Sequence, residues 1–313
     1  MSGSAAQRWA KARSFHHSLY PPARIAAERE QSVSVCLPAR ECAETVGEIV
    51  TALLELREEG AIDEVVVVDA ASRDCTAETA RRAGAVVHQE ADLLPDLGPV
   101  LGKGDAMWRA LSALRGELVC FLDADTEGFS AHFATGLLGP LVCEQDVSFV
   151  KGLYRRPLAE AADGGGRVNR LTARPALELF YPQLAGVRQP LAGEVAARRD
   201  LLEALPFATG YGVEIAMLID AWRAVGLEGM AQVDLDEHRN RHQPLSALEP
   251  MAKTVLATIA RRLQLEGRLD GVDGVDAAPL ERPPMASAHH ARGRGGRSGR
   301  GSSSMMPSRF SSS

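Results

Sequence analysis

Several things are missing from this 313-residue sequence, and each absence removes a class of function. No stretch of about 18 consecutive apolar residues occurs, so no membrane-spanning helix is expected. The opening residues, MSGSAAQRWAKARSF, lack the apolar core of a secretory leader, and the expectation is a protein with no export signal. The five cysteines (Cys36, Cys42, Cys75, Cys120 and Cys143) include no C-x-x-C pair, which suits reduced structural thiols in the cytoplasm. Positive charge is in deficit. With 35 Lys and Arg against 41 Asp and Glu, the net charge of −6 gives no general reason to expect a nucleic-acid partner. Two phosphate-binding signatures fail as well. GPVLGKG (98–104) has three residues between its glycines where a P-loop has four, and Gly104 follows Lys103 where Ser or Thr is needed. No G-x-G-x-x-G follows the first strand, which disfavours a dinucleotide enzyme.

What is present is an alternation of strands and helices. SVSVCL (32–37), EVVVVD (64–69), AVVHQ (85–89) and ELVCFLD (117–123) read as strands, the second so uniformly apolar that both its faces must be covered. Between them, TVGEIVTALLELREEG, DCTAETARRAG (74–84) and GDAMWRALSALRG (104–116) carry apolar residues at helical spacing, with glycine stops. This order predicts an α/β fold with a doubly wound, mostly parallel sheet and a ligand site at the carboxyl ends of the strands. Residues 32–154 form its first half. Residues 155–270, with a glycine-rich loop and a long helix from about Val213 to Val225, complete the site as an irregular second half. Residues 1–31 read as a loose helical arm. Residues 271–313 read as a linker and a disordered Arg/Gly/Ser-rich tail, which excludes itself from the core by composition.

The strand ends carry the chemistry. After the first strand come Pro38, Ala39, Arg40 and Glu41; after the second come Asp69, Ser72 and Asp74; after the fourth come Asp123, Ala124 and Asp125. One carboxylate beside a helix start is usually a cap. Carboxylates at several strand ends on one sheet edge are not required for capping. The phosphatase signature D-x-D-x-T misses by one residue, since Thr126 directly follows Asp125.

Nine ordered stretches resemble the GT-A glycosyltransferases that make glucosyl-3-phosphoglycerate and its mannosyl counterpart. They are Pro38-Ala39, D-x-x-S-x-D from Asp69, GKGDAMWRAL from Gly102, DAD at 123–125, VKGLYRRPL from Val150, GGGRV from Gly164, QPLAGE from Gln189, LPFATGYGVEI from Leu205 and HRNR from His238. They cover about residues 32–260. The resemblance implies a metal-dependent retaining hexosyltransferase with a nucleotide-sugar donor, 3-phosphoglycerate as acceptor, and a homodimeric assembly.

It also implies roles. Mg²⁺ or Mn²⁺, held by Asp125 and His238, would stabilise the departing diphosphate. Protonation of His238 would oppose that binding. Asp123 would face sugar or ribose hydroxyls, with Ala124 beside it. Pro38, Ala39, Arg40, Glu41, Asp69 and Ser72 would hold the base and ribose, and Lys103 the nucleotide or phosphate side. Tyr211, Gly212, Val213, Glu214 and the Leu191 backbone would surround the anomeric carbon, Glu214 binding a sugar hydroxyl in preference to acting as a base. Gly166, Arg167, Val168, Asn169 and Asn240 would receive the anionic acceptor, the loop's free N–H groups and guanidinium forming a phosphate nest.

Of two departures from the family pattern, the one at position 41 leaves the donor open and the one at position 169 leaves a contact to the acceptor's phosphate open. Relatives commonly read P-A-L-N-E-E where this chain reads Pro38-Ala39-Arg40-Glu41-Cys42-Ala43, and Thr where it has Asn169. A carboxylate at position 41 can accept from guanine's N1–H and amino group, whereas uracil offers one N–H. UDP-glucose and GDP-mannose are therefore both candidate donors. A sugar-nucleotide pyrophosphorylase shares the sheet but needs a glycine-rich activating loop after the first strand, and PARECAE is not one. A non-catalytic sensor would not need the Asp125/His238 pair.

Overall fold

The computed structural model describes residues 4–157, 164–240, 243–270, 275 and 278–288. In chain order the strands are β1 (Ser14–His16), β2 (Val33–Ala39), β3 (Glu64–Asp69), β4 (Val86–Gln89), β5 (Leu118–Phe121), β6 (Phe149–Arg155), β7 (Val195–Arg198), β8 (Phe207–Ala208), β9 (Met230–Glu237) and β10 (Glu281–Arg282). The helices are α1 (Ala5–Ala12), α2 (Pro22–Glu28), α3 (Val46–Glu58), α4 (Thr76–Ala83), α5 (Lys103–Ala110), α6 (His132–Cys143), α7 (Arg174–Phe180), α8 (Arg199–Ala204), α9 (Val213–Val225) and α10 (Leu245–Leu265).

Eight strands form one sheet in the order β1-β9-β6-β7-β5-β2-β3-β4, and β8 and β10 form a separate antiparallel pair. The expected α/β class holds. The four sequence-predicted strands are β2 to β5, all mutually parallel where they pair. Val65 to Val68 are buried because helices cover both faces of the sheet. The strand β7 departs from the parallel pattern, running antiparallel between β5 and β6. This insertion joins the two expected halves into one sheet, and it carries the chain past the D-x-D turn. The helix expected over 104–116 is shorter, ending at Ala110. The chain then tightens into i→i−3 hydrogen bonds, Ala113 N–H donating to Ala110 O at 2.8 Å.

Both chain ends differ from the expectation. The N-terminal arm is not loose, because β1 extends the sheet by pairing with β9. Trp9 is buried and its Nε1–H donates to Met230 O at 3.1 Å, while Tyr20 is fully enclosed. Gly139 admits the Tyr20 ring, since a Cβ there would lie 2.0 Å from Cγ of that ring. The expected linker also packs. Arg282 donates to both carboxylate oxygens of buried Asp105, at 2.7 and 2.8 Å, and Met285 enters the core. Trp108 Nε1–H donates to Pro283 O at 2.9 Å. The Arg/Gly/Ser-rich tail from residue 289 onward lies outside the described residues.

Candidate active site

The carboxyl ends of β2, β3 and β5 open on the same edge, as parallel pairing requires. There the turns after β2 and β3 interlock. Glu41 N–H donates to Ser72 Oγ at 2.9 Å, and Arg73 N–H donates to Glu41 Oε1 at 3.0 Å. Ser72 N–H donates to Asp69 Oδ2 at 3.2 Å, and Gln89 Nε2 donates to the same oxygen at 2.9 Å. Ala70 N–H donates to Ala39 O at 2.8 Å, extending the β2–β3 ladder by one residue, so Pro38 and Ala39 line the wall beside Arg40 and Glu41. Glu41 and Ala71 both hold left-handed φ values, 53° and 51°, the strained geometry expected of a tight ligand-facing turn. Asp69 Oδ1 is buried without a hydrogen-bond partner among the described residues. That orphaned acceptor can take an N–H or O–H from a bound nucleotide.

Lys103 ties together two carboxylates of the expected site. It opens α5, after Gly102 at φ 95°, and its Nζ lies 2.7 Å from Asp123 Oδ1 and 3.0 Å from Glu214 Oε1. Burial works against the Lys103 cation, but these two carboxylates outweigh it and raise its pKa well above the ordinary lysine value. Glu214 sits in the first turn of α9, beside exposed Tyr211 and just past Gly212 and Val213. Close packing demands glycine at 212, where a Cβ would lie 2.4 Å from Thr258 Oγ1. The same holds at Gly193, where a Cβ would be 2.4 Å from both oxygens of Asp123.

Deeper in, Asp123, Glu194 and His238 bring ligand atoms within 4.8 Å of one another. His238 Nε2 is 2.9 Å from Glu194 Oε1 and 3.1 Å from Thr126 Oγ1, and Tyr154 O–H donates to Glu194 Oε2 at 2.7 Å. The Tyr154 ring stacks on the imidazole at 4.5 Å. Burial disfavours charge on both partners, but Glu194 raises the His238 pKa and His238 lowers that of Glu194. Asp125 behaves differently. Among the described residues no hydrogen bond or ion pair reaches it, and burial together with the Asp123 charge raises its pKa.

These groups fit a divalent cation. The donor set is carboxylate oxygen plus one imidazole, suited to Mg²⁺ or Mn²⁺. A half-buried Asp125 with no partner has electrostatic need of a positive charge. Sequence reasoning named Asp125 and His238 for this role. It missed Glu194, which sits in a quoted stretch, QPLAGE, yet reads there as one polar residue between apolar runs.

The expected acceptor groups gather across the cleft. Gly165 and Gly166 follow the turn in which Gly165 N–H donates to Arg156 O at 2.9 Å. Gly166 has φ 65°. Arg167 Nη2 donates to Gln243 O at 2.6 Å, and Val168 is buried beneath. Asn169 serves Leu191: its Oδ1 accepts from Leu191 N–H at 3.3 Å and its Nδ2 donates to Arg188 O at 3.3 Å. Asn240 Oδ1 accepts a hydrogen bond from Arg156 Nη2, while the Arg156 Nε–H is buried without a partner among the described residues. Arg156 is therefore a second cation of this pocket that the motif reading passed over. Lys151 is another missed group. It is fully buried, donates to Ala192 O at 2.5 Å beside Leu191, and burial lowers its pKa to about 8.

The sequence matches the glycosyl transferase family 2 profile over residues 34–134. It is 41% identical to the glucosyl-3-phosphoglycerate synthase of Mycolicibacterium smegmatis, over 90% of this chain and 98% of that protein. It is 40% identical to the enzyme of the same name from Petrotoga mobilis, over 82% of each chain. The crystal structure of mannosyl-3-phosphoglycerate synthase from Rubrobacter xylanophilus superposes with a TM-score of 0.85 at 43% identity, covering 92% of this chain and 99% of that one. Glucosyl-3-phosphoglycerate synthase from Mycobacterium tuberculosis, in complex with Mn²⁺, UDP-glucose and phosphoglyceric acid, gives 0.76 at 37% identity, covering 86% and 95%.

Proposed function

Because this chain belongs to the glucosyl-3-phosphoglycerate synthase family of GT-A glycosyltransferases, we propose that it transfers a hexosyl group from a nucleoside-diphosphate sugar to 3-phosphoglycerate with retention of configuration. The observation that carries this reading is the Asp123–Lys103–Glu214 bridge, whose Asp123 also belongs to the Asp123, Glu194 and His238 donor set.

Asp125 and His238 would hold Mg²⁺ or Mn²⁺, with Asp123 and Glu194 within reach; when bound, the cation neutralises charge developing on the leaving diphosphate. Lys103 holds two carboxylates at the sugar subsite. Each is thereby a hydrogen-bond acceptor for sugar hydroxyls and a poor nucleophile, because its lone pairs face an ammonium group. With both of these carboxylates held by Lys103 rather than poised for a covalent intermediate, attack by the acceptor hydroxyl from the face the diphosphate leaves accounts for retention. The acceptor's proton then passes to the departing phosphate oxygen. Asn169 fixes the Leu191 backbone under the anomeric centre, and Lys151 fixes Ala192 next to it. The chain's contribution is thus mainly orientation and preorganised charge. Arg167 and Arg156, with Asn240 and the Gly166 backbone, balance the phosphate and carboxylate of 3-phosphoglycerate.

The orphaned Asp69 Oδ1 and the Glu41 carboxylate supply acceptors for the base. UDP-glucose is the leading donor, and GDP-mannose the alternative, favoured by a carboxylate at position 41 in the base pocket. The absence of any described helix long and apolar enough to cross a membrane, together with cysteines that lack a C-x-x-C pair, supports a cytoplasmic enzyme; the family likeness supports a homodimer. The test is incubation of the purified chain with 3-phosphoglycerate, Mg²⁺ or Mn²⁺ and each donor in turn, with product read by mass spectrometry. Hexosyl-3-phosphoglycerate from one donor is the expected result. Donor hydrolysis only, or pyrophosphate-dependent release of sugar phosphate, would replace the proposal with another.

A further inference from the structure

Three histidines crowd one carboxylate at the sheet edge formed by β1 and β9. His16 ends β1, His17 follows it, and Asp236 lies across on β9. His17 Nε2 is 2.7 Å from Asp236 Oδ2, and His16 Nε2 is 3.3 Å from Asp236 Oδ1. The His17 ring lies between those of His16 and His132, with centroids 4.4 and 4.1 Å away and planes tilted by 33° and 31°. None of these residues touches the donor or acceptor groups described above.

A simple latch between strands would need one hydrogen bond from one imidazole. Here the backbone is bent to present the carboxylate to two. Asp236 has φ 65°, uncommon for a residue with a side chain. At that point β9 carries an extra residue against β6, since Leu153 pairs with Asp234 and Arg155 with Glu237. A bulge of this kind re-aims a side chain.

The two imidazole nitrogens and the carboxylate also match a ligand set in number, type and spacing. Bond lengths of about 2.0–2.2 Å in a tetrahedral zinc site put ligand atoms roughly 3.3 Å apart. The His16–Asp236 separation is already 3.3 Å, and all three ligand atoms lie within 4.8 Å of one another. His16 Nδ1 accepts from Ser18 N–H at 3.2 Å and lies 2.8 Å from Ser18 Oγ, so coordination through Nε2 requires the ring proton to move to Nδ1 and turn to that hydroxyl, an outer partner. His132 cannot be the fourth ligand through Nε2, which is 3.1 Å from Leu235 O. The side chains of His16 and Asp236 are about half exposed, at 46% and 51%, so water completes the set.

We propose that His16 Nε2, His17 Nε2 and a carboxylate oxygen of Asp236 bind a zinc-type divalent transition metal. The site is separate from the catalytic cation and clamps β1 onto β9. Imidazole-rich sets select zinc, cobalt, nickel or copper over magnesium, so the two sites differ in the metal they take.

The experiment uses the full chain, stripped with a chelator and then saturated with Mg²⁺ and nucleoside diphosphate to fill the catalytic centre. Zn²⁺ is titrated by calorimetry and counted by elemental analysis, and Co²⁺ is substituted to read its visible absorption. The expected result is one additional Zn²⁺ per chain, a tetrahedral Co²⁺ spectrum and a melting temperature that rises with Zn²⁺. His16→Ala and His17→Ala should each weaken that binding by at least about 100-fold, beyond the range typical of losing an outer partner. Asp236→Asn guards against a folding failure, since asparagine tolerates the left-handed backbone while lacking the anionic oxygen. An additional equivalent that is missing from the wild type, kept by all three variants, or lost in Asp125→Ala would overturn the proposal.

Discussion

Replacing Gly193 with alanine tests the sugar subsite through a single methyl group. The added Cβ would lie 2.4 Å from both Asp123 carboxylate oxygens, whereas comfortable non-bonded contact needs about 3.5 Å. Asp123 must therefore retreat by roughly 1 Å. A retreat of about 1 Å that also draws Asp123 away from Lys103 lengthens that contact from its present 2.7 Å to at most about 3.7 Å, past hydrogen-bond range. Overpacking of this kind costs about 1–3 kcal/mol. That is a drop of roughly 2–10 °C in melting temperature, which leaves the protein folded at assay temperature. A misplacement of about 1 Å at a reacting centre costs about 100-fold in rate. Gly193→Ala should therefore lose about 100-fold in kcat/KM for the donor while its circular dichroism stays native. A thermodynamic cycle sharpens the test. Combining Gly193→Ala with Asp123→Ala removes the clash, so the double variant should regain most of the stability lost by Gly193→Ala alone. Wild-type kcat/KM in Gly193→Ala, or additive stability losses in the cycle, would refute the contact and the role built on it.

Other outcomes follow from the same geometry. Asp125→Ala should abolish transfer and metal-dependent nucleotide binding with the fold intact; turnover at the wild-type rate would remove its metal role. Arg167→Ala should raise the 3-phosphoglycerate KM by at least about 30-fold while calorimetric donor affinity stays unchanged, and a collapse of donor affinity instead would move the glycine loop to the nucleotide side. Arg282→Ala leaves Asp105 buried with one partner fewer and should destabilise by about 1–3 kcal/mol in urea unfolding; no change would make the C-terminal packing incidental. Lys151, with its pKa lowered to about 8 from the usual 10.5, is protonated more readily unfolded than folded between those values. Its contribution to stability thus rises with pH across that window, by at most about 1.4 kcal/mol per pH unit. Lys151→Met should lack that rise when unfolding is compared at pH 8 and pH 10.

The parallel half was legible because EVVVVD and SVSVCL are too apolar to be anything but strands covered on both faces, and because polar clusters followed each one. Direction was not legible in VAAR at β7, whose four short residues carry no period that separates parallel from antiparallel pairing. Asp125, His238 and Lys103 were named through the family resemblance, on the stretches DAD, HRNR and GKGDAMWRAL that carry it. Glu194, Arg156 and Lys151 were missed because each lies in a buried or irregular stretch, where its purpose depends on partners 40 or more residues away: Tyr154 for Glu194, Asn240 for Arg156, Ala192 for Lys151. The packed ends were missed for the same reason. Nothing near Arg282 in sequence announces Asp105, 177 positions earlier.

The Arg282–Asp105 pair has a temporal consequence. Asp105 lies two residues past Lys103, and β10 backs β8, the strand that leads into Tyr211 and Glu214. At the other end of the sheet, residues 14–16 wait for residues 232–234 before they can pair. During ribosomal synthesis the donor cleft therefore stays unbraced until residue 282 has emerged, and residues 14–16 remain unpartnered until residues 232–234 have followed. Such long-range closures form slowly and leave sticky surfaces exposed meanwhile. A nascent chain stalled before position 281 should accordingly be an incompetent enzyme and a client for chaperones, however complete its D-x-D turn.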